Sequence, residues 1–168
     1  MSTEHWAFIS LGSNIEPERY LPKSVQRLRE LCRVERVSSV WESPAVGNDQ
    51  QSNFCNAAVL IRTSLSPEIL KFQVLRQLET DLGRIRDPAN RNADRTIDLD
   101  LVLYDSTVLD SPEIQLPDPD IAHRAFLIVP LAELDAHYQH PTLHRSLDEL
   151  RQQCDISTLR ARPDIRIA

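Results

Sequence analysis

Two aspartates stand two residues apart in the stretch RTIDLDLVLYD, which covers residues 95–105. Apolar, β-prone residues alternate with Asp98 and Asp100, as in a half-buried β-strand. Because successive side chains of a strand point to opposite faces, both carboxylates are expected on one face, roughly 7 Å apart along the chain. Like charges this close repel each other, and partial burial adds a desolvation cost. The pair therefore needs a cation nearby.

Four arginines lie just before or at the start of this strand, and most of them fall in a segment without hydrophobic periodicity that is predicted to be a loop. They are Arg84, Arg86, Arg91 and Arg95. Mg²⁺ prefers a few carboxylate oxygens together with waters and substrate phosphates. Arginines beside such a site can neutralise the charge on a phosphorus group during its transfer. A structural salt-bridge cluster is the alternative interpretation, and the spacing alone leaves both open.

The few aromatic residues of the chain could form a ligand pocket. Phe54 and Asn56 share one face of a predicted strand, and Phe126 follows His123 and Arg124. An asparagine amide offers a donor and an acceptor to the edge of a heterocycle, while phenylalanine rings suit its faces. On composition alone, core phenylalanines and a turn-forming asparagine are the simpler interpretation.

Composition and missing motifs exclude several classes of protein. The 168 residues carry a net charge of −6, which argues against bulk nucleic-acid binding. Only three glycines are present, and no Walker or GxGxxG motif occurs. The three cysteines are widely spaced, and neither a signal peptide nor a membrane-span run is visible, so a cytoplasmic location is expected.

The order of predicted elements defines a fold class. Strands at 5–11, 34–42, 53–62 and around the aspartates alternate with helices in the order β-α-β-β-α-β. This order is typical of a ferredoxin-like α+β sandwich. In that fold the helices would cover one face of an antiparallel sheet and leave the aspartates on the open face. A doubly wound parallel sheet is the alternative.

Four further features lie outside that core. Residues 107–109 are predicted to pair back on the aspartate strand as a hairpin. A third helix is predicted at 125–134 and a fourth at 147–154, and the tail at 160–168 is either a strand or loose.

Six motifs, taken in order, resemble those of the 6-hydroxymethyl-7,8-dihydropterin pyrophosphokinase family of folate biosynthesis. They are LGSN at 11–14, ESPAVG at 42–47, FCNAAV at 54–59, LETDLGRIR at 78–86, RTIDLDLVLYD at 95–105 and HRAFLIVPLAEL at 123–134. The resemblance covers about residues 6–134 of one expected domain, 1–168, and leaves the role of residues 135–168 open.

The resemblance implies an ATP-dependent pyrophosphokinase, which transfers pyrophosphate from ATP to the pterin's hydroxymethyl group and releases AMP. The alternative is a pterin- or nucleotide-binding module with weak or lost transfer activity. The implied partners are the two small-molecule substrates, with no nucleic acid and no membrane, and the expected state is a monomer.

The resemblance also assigns roles to individual residues. Asp98 and Asp100 would hold two Mg²⁺ ions, and Arg84 and Arg95 would act in catalysis. The ATP side would comprise Glu79, Arg86, Leu101 and Arg124. The pterin side would comprise Ser43, Pro44, Val46, Phe54, Asn56 and Phe126.

Two positions depart from the family's usual pattern. Where the family often has Arg-Trp-Gly-Pro-Arg, this chain has Arg-Asn-Ala-Asp-Arg at 91–95, without the tryptophan and with an acidic residue, Asp94. This difference bears on the closed form of the loop and on ATP affinity. Asp118 stands where the family usually has a histidine that contacts ATP. An acid there is expected to weaken ATP binding unless it is turned away or lies near metal.

Overall fold

The computed structural model describes residues 2–47 and 50–168, so that positions 48 and 49 of the predicted polar loop at 45–52 lie outside the described residues. The strands are β1 (His5–Ser13), β2 (Arg33–Val37), β3 (Trp41–Ser43), β4 (Phe54–Thr63), β5 (Asp98–Tyr104), β6 (Leu109–Asp110), β7 (Gln115–Leu116) and β8 (Arg160–Ala161). The helices are α1 (Pro17–Leu31), α2 (Pro67–Ile69), a π-helical segment (Leu70–Leu75), α3 (Arg76–Asp81), α4 (Ala125–Leu134) and α5 (Leu147–Gln153). None of the helices in the described ranges is long and apolar enough to cross a membrane.

The main sheet has the strand order β5-β1-β4-β3-β8, and β2 also pairs with β4. Every pairing in it is antiparallel. With α1 after β1 and the helix at 67–81 before β5, this is the ferredoxin-like βαββαβ arrangement. The predicted fold class is confirmed, and the parallel alternative is wrong.

The first face of the sheet is covered by α1 and by the continuous helix at 67–81. Leu21 and Leu28 of α1 are fully buried against the sheet, as their helical spacing predicts. The second helix begins where the Ser66 hydroxyl accepts a hydrogen bond from the N–H of Ile69 at 3.3 Å, and Gly83, with φ 84°, follows its end. The π-helical turn in its middle has no signal in the sequence.

The second face of the sheet is not open over its whole length, contrary to the prediction. Seven of the ten residues of α4 are buried, so this helix has too little polar surface to face water. It packs on Phe8, Leu60 and Val102 of the sheet, with α5 on its other side. The open part of this face is therefore confined to one end, beyond the first turn of α4.

The predicted strand at 34–42 is interrupted and forms two strands, β2 and β3. Ser38 lies between them, and its N–H donates to the carbonyl of Ala58 at 3.0 Å. Its hydroxyl accepts the N–H of Ala58 at 2.8 Å. The serine side chain thus replaces one bond of the backbone ladder, and both strands keep β4 as their partner.

The predicted hairpin between residues 107–109 and the aspartate strand is wrong. Asp105 donates its N–H to the carbonyl of Trp6 at 2.8 Å and then turns with φ 45°, which takes the chain away from β5. The following strand, β6, pairs with β7 instead. The C-terminal tail contributes a strand, β8, which pairs with β3 beside the open end of the second face.

Candidate active site

Three neighbouring strands bring polar side chains together at the open end of the second face. Gly12 of β1 is opposite Asn56 of β4 on one side and Asp98 of β5 on the other. Ser10 is opposite Asp100 in the same way. Side chains two residues apart on a strand share a face, so the register places both aspartates and Asn56 on one surface, as the alternation predicted.

A cavity of about 170 Å³ lies at this end, beside the first turn of α4. All six residues predicted for the pterin side line this cavity, together with Arg95 and Asp98. The six are Ser43, Pro44, Val46, Phe54, Asn56 and Phe126. Residues far apart in sequence thus share one pocket, which argues against the simpler interpretation of the phenylalanines as core residues.

Gly12 forms part of the floor of this pocket, although the resemblance assigned it no role. A Cβ atom at Gly12 would lie 3.6 Å from Asn56 Oδ1, 3.8 Å from a Phe54 ring carbon and 4.0 Å from Asp98 Cβ. These are ordinary contact distances, so the missing side chain is not needed for packing but leaves room for a ligand. In the sequence, the indication of a ligand contact was a glycine directly after a strand, for which a turn is the simpler interpretation.

The Asn56 side chain is held in place by hydrogen bonds within the protein. It is 6% exposed, and its Nδ2 donates to Ser43 Oγ at 2.9 Å and to the carbonyl of Trp41 at 3.2 Å. With its donor group held in this way, the carbonyl oxygen Oδ1 remains beside Gly12 as an acceptor. The pocket therefore offers a fixed acceptor to an N–H group at the edge of a flat ring, between two aromatic side chains.

Glu79 is a buried carboxylate that holds two of the predicted arginines. Its side chain is 3% exposed; Oε1 accepts from Arg86 Nη2 at 2.5 Å, and Oε2 accepts from Arg84 Nη1 and from the Leu99 N–H, the latter at 2.9 Å. Hydrogen bonds from charged donors to a carboxylate are stronger than those between neutral groups. Glu79 therefore orients two arginines and ties them to β5, rather than lying open to a ligand.

Arg84 and Arg95 converge on Asp98. Arg84 Nη1 donates to Asp98 Oδ1 at 3.1 Å, and Arg95 Nη1 donates to Oδ2 at 3.0 Å. Arg95 is further held by the carbonyls of Arg91 and Ala93, at 2.6 and 3.1 Å. The two residues predicted for catalysis and the first predicted metal ligand are thus in direct contact.

Asp100 has a different environment. Its Oδ1 lies 3.3 Å from the ammonium of Lys71, which the sequence did not single out. Burial raises the pKa of Asp100 to about 6, although Lys71 lowers it, and the charges of Asp118 and Asp98 raise it further. Burial also raises the pKa of Asp118. Asp118 is thus close enough for its charge to act on Asp100, while its Oδ1 accepts the N–H of Asp120 at 2.8 Å.

The oxygens of Asp98 and Asp100 fit a magnesium site by their chemistry. They are carboxylate oxygens on one face, both side chains are about two-fifths exposed, and each already accepts from a cationic side chain. No group of three or more potential ligands of the His, Cys, Asp or Glu type occurs within residues 2–47 and 50–168. Such a pair suits Mg²⁺, which keeps waters and phosphate oxygens as its other ligands.

Asp94, the acidic residue in the loop before β5, accepts hydrogen bonds from two side-chain amides. Its Oδ1 accepts from Asn14 Nδ2 and from Gln51 Nε2, both at 2.8 Å. Asn14 Oδ1 in turn accepts the N–H of Arg95 at 2.8 Å. These bonds connect the end of β1 and the loop after β3 to the loop that carries Arg95, and none of them was foreseen.

Two of the residues predicted for the ATP side are placed unexpectedly. The Leu101 side chain is 1% exposed and belongs to the core of the first face, so only the backbone of this edge strand could contact ATP. Arg124 is exposed at the start of α4.

A second cavity, of about 520 Å³, is lined by the loop at residues 84–95 and is rich in arginine. Its basic residues are Arg76, Arg84, Arg86, Arg91 and Arg95.

Comparison with known proteins places this site in a family. A family model described as 7,8-dihydro-6-hydroxymethylpterin-pyrophosphokinase (HPPK) matches residues 8–136. The chain is a member of that family. A Bacillus subtilis relative, 2-amino-4-hydroxy-6-hydroxymethyldihydropteridine pyrophosphokinase, is 39% identical over 76% of this chain and 77% of its own length.

Other members of the pyrophosphokinase family are longer. The chain is 30% identical to the folic acid synthesis protein FOL1 of Dictyostelium discoideum over 86% of its residues, which span 22% of that protein. A crystal structure of wild-type HPPK-DHPS with pteroate from Plasmodium falciparum superposes with a TM-score of 0.69 at 13% identity. It covers 91% of this chain and 43% of that one. At this identity the superposition supports the pyrophosphokinase fold alone. All the predicted site residues lie within the region that matches the family.

Proposed function

We propose that this chain is an ATP-dependent pyrophosphokinase that acts on 6-hydroxymethyl-7,8-dihydropterin in folate synthesis. In this reaction the pterin's hydroxymethyl oxygen loses its proton and forms a bond to the β-phosphorus of ATP. The bond between that phosphorus and the oxygen of the α-phosphate breaks, and AMP leaves. The observation that carries the proposal is that Arg95 and Asp98 line the same pocket as the six residues of the pterin side. Groups for ring recognition and for phosphate chemistry thus meet in one place.

The pterin binds in the cavity beside Gly12. The Phe54 and Phe126 rings contact its faces, and Asn56 Oδ1 accepts from an N–H group at its edge. Ser43, Pro44 and Val46 close the opposite wall. The hydroxymethyl group is then directed toward Asp98 and Arg95, which line the same cavity.

ATP binds along the arginines on the other side of Asp98. Glu79 holds Arg84 and Arg86 in place, so their charges are positioned before the nucleotide arrives. Arg84 and Arg95 stabilise the negative charge on the transferring group. In the structure both arginines contact Asp98. They can bind phosphate oxygens instead once another cation neutralises that aspartate.

Asp98 and Asp100 would hold two Mg²⁺ ions together with the phosphates of ATP. Metal held there would neutralise phosphate charge and make the β-phosphorus more open to attack. Asp94 does not interfere, because its carboxylate is turned toward Asn14 and Gln51. Asp118 adds negative charge near Asp100 and is expected to affect the metal more than the phosphates.

We propose further that residues 1–168 work as one monomeric domain in the cytoplasm. The C-terminal part supports the pterin side, since β8 pairs with β3 and Arg162 Nη1 donates to Glu42 Oε1 at 3.0 Å, next to Ser43. All three cysteines are free thiols, as is usual in a reducing compartment. Size-exclusion chromatography with light scattering tests the monomer.

The decisive experiment measures AMP release from ATP and Mg²⁺ with 6-hydroxymethyl-7,8-dihydropterin. Release should require the pterin and should be lost in an Asp98→Asn protein that binds the pterin normally. A wild-type protein that binds both substrates without pterin-dependent AMP would instead be a binding module. That second candidate is motivated by the two acidic departures, Asp94 and Asp118.

A further inference from the structure

The two aspartates of the site are neutralised by different partners. Asp98 is held by two arginines that belong to the loop and to the entry of β5. Asp100 is held by Lys71, which comes from the π-helical segment on the other side of the sheet edge, at 3.3 Å. Lys71 lies outside the six family-like motifs and plays no part in the reaction described above.

The ammonium of Lys71 is placed among several negative charges. It interacts electrostatically with Asp100 and Asp118, and Asp118 and Asp98 in turn act on Asp100. The Lys71 side chain is 25% exposed, and its ammonium lies 6.0 Å from the centre of the Phe72 ring. Its position is therefore partly fixed by packing and partly by the carboxylates.

We propose that Lys71 is a built-in counter-ion that competes with a divalent metal for Asp100 and thereby sets the metal affinity of the site. An ammonium and a divalent cation cannot share one carboxylate oxygen without strong repulsion. Lys71 must leave Oδ1 before that oxygen can bind metal, and the phosphates of ATP provide a new partner for its charge. Metal binding is thus coupled to nucleotide binding. This inference rests on the proposed function, because it takes Asp100 as a metal ligand.

The test measures binding of Mn²⁺, a paramagnetic substitute for Mg²⁺, by electron paramagnetic resonance of the free ion. It uses the full chain with saturating α,β-methylene-ATP, which cannot release AMP, and again without nucleotide. Lys71→Met removes the charge and keeps an apolar stem of similar length. We expect the Kd of the weaker Mn²⁺ ion to fall on the order of tenfold, with the larger gain when no nucleotide is present.

Two matched variants accompany this measurement. Lys71→Arg keeps the charge and should retain the wild-type Kd within about twofold. Lys23→Met removes the charge of the chain's other lysine, which is exposed on α1, and should leave the Kd unchanged. Equal circular dichroism spectra and Tm values establish that all variants are folded.

The outcomes separate the inference from the proposed function. If Asp100→Asn loses one Mn²⁺ ion while Lys71→Met binds as the wild type does, the competition by Lys71 is refuted and the metal site stands. Weaker Mn²⁺ binding in Lys71→Met would also overturn the inference, because Lys71 would then be a ligand of the nucleotide. If Asp98→Asn and Asp100→Asn both bind Mn²⁺ normally, the metal assignment itself is wrong, and the inference with it.

Discussion

The pterin side and the phosphate side of the site are built in opposite ways. The floor of the pterin side is formed by strands, where Asn56, for example, is 6% exposed and held by Ser43 and Trp41. Its opposite wall includes the exposed loop residues Pro44 and Val46. The phosphate side rests on a loop, where the Arg86 side chain is 50% exposed and Ile85 is 84% exposed. Packing shapes the first side, and ion pairs to two carboxylates, Glu79 and Asp98, shape the second.

This difference assigns separate tasks to the two sides. A pocket formed by packed strands can select a ligand before the reaction begins, because its shape does not depend on the ligand. Arginines held by ion pairs can exchange a carboxylate for a phosphate at little cost, since one charged partner replaces another. Substitutions on the pterin side should therefore change KM for the pterin, and substitutions on the phosphate side should change kcat.

The largest effect is expected at Asp98, where the two sides meet. Asp98→Ala removes the shared partner of Arg84 and Arg95 and one of the two metal ligands, so kcat for AMP release should fall by about 10³-fold or more. Asp110→Ala, at an exposed aspartate of β6, serves as the control and should be neutral. A near-normal kcat in Asp98→Ala would contradict the proposed metal site.

Glu79→Gln should damage activity and stability together. The substitution removes one of the two carboxylate partners of the largely buried Arg84, which keeps Asp98, and the cost in the free energy of unfolding should be up to about 3 kcal/mol. The expected loss in kcat is about 10²-fold, because Arg84 and Arg86 lose their orientation.

Urea denaturation and AMP release measure the two effects of Glu79→Gln separately. Glu30→Gln, which removes an exposed ion pair with Arg27, should change the free energy of unfolding by less than about 0.5 kcal/mol. If Glu79→Gln keeps the wild-type stability, the phosphate side does not depend on this buried carboxylate.

The sequence predicted the strand-built side better than the loop-built side. Alternation in β5 and the spacing of Phe54 and Asn56 place side chains on a face, because a strand has a fixed period. All six pterin-side residues therefore share one pocket, although their contacts with a pterin stay a prediction. The family resemblance, rather than any period, supplied the loops that complete this pocket.

No such period constrains the phosphate side. The resemblance implies that Glu79 contacts ATP, whereas in the structure its carboxylate is bonded to Arg84 and Arg86. Lys71 and the amides that hold Asp94 were missed, because long side chains reach their partners across elements without any regular spacing. The sequence of a loop shows that cationic side chains are present, but not with which carboxylate each of them forms an ion pair.

Gly12→Ala tests whether the pterin pocket is as rigid as its packing indicates. The added Cβ fits against Asn56, Phe54 and Asp98 at ordinary contact distances, so the protein should fold normally while the methyl group takes up ligand space. We expect KM for the pterin to rise about tenfold, with KM for ATP nearly unchanged. Equal increases in both KM values would mean that the two sides do not work separately.

A smaller effect is expected at Asp94, which joins the two sides through hydrogen bonds. Asp94→Ala removes the acceptor that the Asn14 and Gln51 amides share, so the loop carrying Arg95 should open more often, although Gln51 Nε2 still donates to the Asn92 carbonyl at 2.6 Å. Hydrogen exchange should increase at residues 84–95, and kcat should fall about fivefold, while KM for the pterin stays within twofold. Asp87→Ala, in the same loop, is the control; its carboxylate bonds only to Ala89 among the contacts described. Unchanged exchange in Asp94→Ala would show that these bonds do not hold the loop.

The smallest effect is a dependence of stability on pH that arises outside both sides. Burial lowers the pKa of His140, and its Nδ1 accepts the N–H of Leu143 at 3.1 Å, so the folded protein favours the neutral ring. The unfolded chain takes up a proton more readily, so this contribution to stability is present at neutral pH and is lost as the pH falls below 6.5. Urea denaturation at pH 7 and pH 5 should show a smaller decrease for His140→Asn than for the wild type or for His137→Asn, at an exposed histidine. An equal decrease in all three proteins would show that the acid sensitivity does not arise at His140.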